Sequence, residues 1–83
     1  MNQRTILIIE DEETIISILK FNLEKEGYAV IEAMDGATGL EYALTKNPDL
    51  ILLDVMLPQM DGFEVCKKVR EKSSVPIIML TAR

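Results

Sequence analysis

Apolar residues recur along this chain in two alternating rhythms. Thr5–Ile9 and Leu50–Leu53 are unbroken apolar runs of strand length, the pattern of strands buried on both faces of a parallel sheet. Between them the spacing changes to that of helices. From Glu12 to about Glu26, Ile15, Ile18, Leu19 and Leu23 recur at i, i+3, i+4 and i+8, which predicts one buried helical face ending at Gly27. Ile16 and Phe21 fall off that stripe. Tyr28–Ala33 is less uniformly apolar and reads as a strand nearer an edge, followed by the turn signal Asp35-Gly36. A second helix over about Ala37–Lys46 would bury Leu40, Ala43 and Leu44, and Asn47-Pro48-Asp49 ends it. Asp61-Gly62 opens a third, about Phe63–Lys72, with Val65, Cys66 and Val69 inward; Pro76–Leu80 is a fourth strand, with proline tolerated at its start.

The order βαβαβαβ with short connections implies an α/β fold, a parallel sheet with right-handed crossovers and helices on both faces. Ligands of such sheets bind outside the carboxyl ends of the strands. Two apolar runs end there in acids: Leu50–Leu53 in Asp54, and Ile6–Ile9 in Glu10-Asp11-Glu12-Glu13. Helix N-capping favours Asp after strands, yet it explains one acid per strand rather than four. If the first and third strands are neighbours, Glu10, Asp11 and Asp54 converge, and Thr81 joins them from strand four. Thr81 reads equally well as a strand-end hydroxyl satisfying local backbone. Carboxylates held together repel, and a divalent cation is the simplest relief at neutral pH; all-oxygen ligands favour Mg²⁺ over zinc.

Composition narrows the classes further. Eighty-three residues, 48% hydrophobic, suffice for one domain burying roughly 60–65% of the surface of its unfolded chain. A net charge of −5 argues against a nucleic-acid surface in this segment. The single cysteine, Cys66, excludes an internal disulfide and reads as a small core residue. No apolar stretch is long enough to span a membrane, and the run after Met1-Asn2-Gln3-Arg4 is too short for a signal peptide, so the chain reads as cytoplasmic. It contains no histidine, which removes histidine-based acid/base chemistry and metal ligation. Gly36-Ala37-Thr38-Gly39 lacks the Lys-Ser/Thr of a phosphate-binding loop, and no serine nucleophile elbow is present. Asp54 remains a competent nucleophile toward phosphorus.

Ile8-Ile9-Glu10-Asp11-Glu12, Asp49-Leu50-Ile51-Leu52-Leu53-Asp54, Met56-Leu57-Pro58 with Asp61-Gly62, and Pro76-Ile77-Ile78-Met79-Leu80-Thr81-Ala82 together resemble the receiver domain of bacterial two-component response regulators. The Glu10-Asp11 pair and the wording around Asp54 are most similar to the subfamily in which the receiver precedes a winged-helix DNA-binding domain. The resemblance implies a flavodoxin-like, doubly wound sheet with strand order 2-1-3-4. It makes Asp54 the phosphoacceptor and a separate sensor histidine kinase the donor. It also implies Mg²⁺ held by Asp11, Asp54 and the backbone carbonyl of Met56, with Glu10 acting through water. Thr81 would bond a phosphoryl oxygen, and Ile16 would be favoured over Phe21 as a kinase docking point.

The resemblance covers all 83 residues but only about two-thirds of a receiver. The fourth helix, the fifth strand with its phosphate-contacting lysine, and the fifth helix are missing, so residues 1–83 read as an incomplete receiver domain. Phosphotransfer by this segment alone is expected to be impaired. The fourth strand becomes an exposed edge, which suggests a homodimer through it. Two other readings stay open: an interaction module without phosphotransfer, and a small aspartyl-nucleophile phosphatase, which would want a second acid where Met56 stands.

Overall fold

A computed structural model of the chain describes residues 3–80. The described elements are β1 (Thr5–Ile9), α1 (Glu13–Lys25), β2 (Ala29–Ala33), α2 (Gly36–Thr45), β3 (Leu50–Asp54), α3 (Gly62–Arg70) and β4 (Ile77–Leu80). The strands form one parallel sheet in the order β2-β1-β3-β4. The expected fold and strand order are therefore found, and element ends differ from the sequence reading by one or two residues. The largest gain is at Asp54, which is the last residue of β3 rather than the first beyond it.

Continuous apolar runs are needed because both sheet faces are covered. Leu7, Ile9, Ile51 and Leu53 pack with Ala43, Val65 and Val69 beneath α2 and α3. Ile6, Ile8 and Leu52 point the other way and pack with Ile16, Leu19 and Leu23 of α1. Leu7, Ile9, Ile51 and Leu53 are fully buried, each contributing about 1.5–3 kcal/mol by the usual transfer scale.

The buried stripe of α1 corrects the sequence reading. Ile16 is buried at 4% exposure, whereas Ile18 is 56% exposed, so Ile16 belongs to the core and is not a docking point. Its neighbours Ile15, Ile16, Ile18 and Leu19 supply two overlapping helical stripes, and the sheet selects the one containing Ile16, Leu19 and Leu23. Leu44 is likewise exposed, leaving Ala43 and the half-buried Leu40 on the inner face of α2. Val65 and Val69 lie inward as expected, and Cys66 is half-buried against the same core.

Candidate functional site

Register brings the acids together. β1 and β3 are adjacent and parallel with Ile9 opposite Leu53, so the next residues, Glu10 and Asp54, stand side by side at the carboxyl edge of the sheet, Asp54 still paired with Leu80 of β4. Glu10 stays tied to the sheet on its other side, its N–H donating to the carbonyl of Ala33 at 3.0 Å. Glu10 and Asp54 are 2% and 1% exposed, the two buried acids among the described residues. With Asp11, which is more open to solvent, they place carboxylate oxygens within 4.8 Å of one another.

Local backbone donors orient two of these carboxylates. The Glu12 N–H donates to Oε2 of Glu10 at 3.0 Å, and the Met56 N–H donates to Oδ1 of Asp54 at 3.2 Å. Each bond spans two residues, so the chain that turns away from a strand end also holds that strand's acid. Capping accounts for other acids. Asp35 and Asp61 accept the Thr38 and Glu64 N–H groups at the starts of α2 and α3, while Glu12 at the start of α1 makes no side-chain cap.

The loop after Asp54 is set by close packing that the sequence alone did not reveal. Gly62 donates its N–H to the Val55 carbonyl at 2.9 Å, and a β-carbon there would meet the Asp54 carbonyl and lie 2.8 Å from the Val55 Cα. Only glycine allows α3 to begin so near the acid. Gly39 similarly faces Ile9, which gives the glycines of Gly36-Ala37-Thr38-Gly39 a packing role. Within the loop, Gln59 adopts a positive φ of 69°. The Met56 side chain is 58% exposed, and its N–H is the part engaged with Asp54. Thr81 lies outside the described residues.

The donor set can be tested against a cation by its chemistry. Two unit charges at 4 Å repel by about 4 kcal/mol even at an effective dielectric of 20, and here three carboxylates share a smaller neighbourhood than free side chains would choose. Hard divalent cations take such all-oxygen ligands. The cluster fits one.

On the edge of the sheet, Lys20 and Glu32 form an ion pair, Nζ to Oε2 3.1 Å. The hydrogen bond from Lys20 to Glu32, with the charge of the same carboxylate, raises the ammonium's pKa above its ordinary 10.5. Being exposed, the pair contributes little to stability. No described helix is long and apolar enough to cross a membrane.

Comparison with known proteins agrees with this geometry. The response regulator receiver domain family matches residues 6–83. The alkaline phosphatase synthesis transcriptional regulatory protein PhoP of Bacillus subtilis (strain 168) is 55% identical over the whole chain, which spans 35% of that protein's length. A CheY-like receiver domain protein from Methanospirillum hungatei JF-1 superposes with a TM-score of 0.93 at 32% identity, over 99% of this chain and 66% of its own. The chemotaxis protein CheY4 of Vibrio cholerae gives 0.92 at 35% identity, covering 99% and 71%. With strand order, strand-end acids and these matches in agreement, the chain belongs to the receiver-domain family of two-component response regulators.

Proposed function

We propose that Asp54 accepts a phosphoryl group from a phosphohistidine on a separate sensor kinase. A carboxylate oxygen of Asp54 attacks phosphorus, the P–N bond breaks, and the electron pair leaves with the imidazole, which takes up a proton. The product is an acyl phosphate on Asp54. The observation that carries this reading is the placement of Asp54 at the end of β3, oriented by the Met56 amide and grouped with Glu10 and Asp11. A rigid strand end holds the nucleophile in one position for an in-line approach.

Asp11, Asp54 and the Met56 carbonyl would hold Mg²⁺, with Glu10 meeting it through water. When bound, the ion supplies positive charge against the oxygens of the transferring group. Receiver domains of this family are generally not enzymes, and Asp54 is here a recipient that is modified and later restored. Thr81 would bond a phosphoryl oxygen after transfer. The Bacillus relative is a transcriptional regulatory protein; carried over, that relation makes this chain the cytoplasmic switch of a longer protein with a DNA-binding output.

Labelling of the full-length gene product with acetyl phosphate tests the reading. Incorporation should require Mg²⁺ and disappear in Asp54→Asn. Equal incorporation by the variant, or incorporation unaffected by a chelator, would contradict it.

A further inference from the structure

The methionines among the described residues divide by place. Met60 and Met79 are half-buried and pack against the core beneath α2 and α3. Met34 and Met56 are 42% and 58% exposed, and both stand at the carboxyl edge of the sheet. Met34 is the first residue beyond β2 and Met56 the second beyond β3, while β1, which lies between those strands, leads into Glu10 and Asp11. Two exposed thioethers therefore bracket the acidic cluster.

Met56 is tied to that cluster through its backbone. Its N–H donates to Oδ1 of Asp54 at 3.2 Å, Leu57 beside it is buried in the core, and the Gly62 N–H closes the loop on the Val55 carbonyl at 2.9 Å. The anchored loop leaves the Met56 side chain with little packing to do, so a change in its chemistry is felt at the acids without unfolding the loop. A thioether is a soft, weak acceptor that a hard cation ignores. Its sulfoxide is polar and presents an oxygen, the donor class that hard divalent cations take.

We propose that Met56 is an oxidation site for hydroperoxides, and that its sulfoxide tightens the hold of the acidic cluster on a divalent cation. A sulfur lone pair attacks one peroxide oxygen and the O–O bond breaks. The departing oxygen takes the proton from the new sulfur-bound hydroxyl and leaves as water or an alcohol; sulfur is oxidised by two electrons and the peroxide is reduced. The step is reversible, because methionine sulfoxide reductases return the thioether while a dithiol is oxidised to a disulfide and the oxygen leaves as water. The effect on the cation rests on reading Glu10, Asp11 and Asp54 as its site, whereas the selective oxidation of Met56 does not.

The full-length gene product, treated with hydrogen peroxide in the presence of a chelator and then desalted, tests both parts. Peptide mass spectrometry should find Met56 oxidised several-fold faster than Met60 and Met79. Isothermal titration should give a Mg²⁺ dissociation constant about fivefold lower after oxidation, the size of one net hydrogen bond, and sulfoxide reductases with dithiothreitol should restore the original value. The peroxide response should persist in Met34→Leu and vanish in Met56→Leu, with the melting temperature of the wild type unchanged by oxidation. A response that survives in Met56→Leu, oxidation of Met56 no faster than that of Met60, or a sulfoxide at Met56 with an unaltered or weaker hold on Mg²⁺ would overturn the proposal. A fall in melting temperature accompanying the shift would also overturn it, by making the effect damage to the fold. If the untreated protein binds no Mg²⁺, the cation reading itself fails and the coupling to Met56 falls with it.

Discussion

Gly62 lies against the backbone carbonyl of Asp54, and a β-carbon at Gly62 would sit 2.8 Å from the Val55 Cα. The start of α3 and the end of β3 are therefore one packed unit, closed by the Gly62 N–H bond to the Val55 carbonyl. Gly62→Ala forces the two apart. Overpacking of this kind costs roughly 1–3 kcal/mol, measurable as a lower midpoint in urea. The same displacement should weaken Mg²⁺ stabilisation of the folded state more than Gly39→Ala does, since Gly39 packs on Ile9 and away from the acids. Equal losses of metal response would detach Gly62 from the site.

Gln59 and Asn47 both have positive φ, 69° and 51°. Asparagine tolerates that region and follows α2 as a helix stop, whereas glutamine has no such preference. Gln59→Gly should therefore stabilise the protein by up to about 1 kcal/mol, and Asn47→Gly should change little. A destabilised Gln59→Gly would mean the Gln59 side chain contributes more than its backbone strain costs.

How much of this was legible from sequence depends on what each feature requires. The strands at Thr5–Ile9 and Leu50–Asp54 were readable because burial on both faces demands unbroken apolar runs. The meeting of Glu10 with Asp54 followed once those strands were placed side by side. The inner face of α1 was not readable, because Ile15, Ile16 and Ile18 fit two helical stripes equally well and only the sheet chooses between them. Close approaches at Gly62 and Gly39 were hidden for a related reason: a missing β-carbon shows what a residue permits, while the neighbour that uses the space comes from another element. The left-handed Gln59 leaves no mark in composition at all.

With Ile16 in the core, the exposed large apolar residues of α1 are Ile18 and Phe21. Ile18 and Phe21 are 56% and 68% exposed, on the side of the helix away from the core. Ile18→Glu should slow transfer from the kinase while leaving acetyl phosphate labelling unchanged and stability within about 0.5 kcal/mol. Ile16→Ala should instead lose roughly 2–5 kcal/mol of stability. If Ile18→Glu reduces labelling by both donors, the residue supports the site and not the partner contact.

In the described residues β4 is an edge strand, and Ile78 on it is 52% exposed. A polypeptide of these 83 residues alone should self-associate through that edge, which offers unpaired backbone groups and apolar surface. Sedimentation over a range of concentrations should show a monomer–dimer equilibrium, shifted toward monomer by Ile78→Lys. A concentration-independent monomer with cooperative unfolding would exclude the edge contact.

Asp54, among the clustered acids, is the residue proposed to take the phosphoryl group. The most direct measurement is to label the full-length gene product with acetyl phosphate and Mg²⁺, reduce the acyl phosphate with borohydride, and locate the modified residue by peptide mass spectrometry. Reduction is expected at Asp54 and at neither Glu10 nor Asp11. Modification at Glu10 or Asp11 with Asp54 intact, or no acyl phosphate under conditions where the protein is folded, would contradict it.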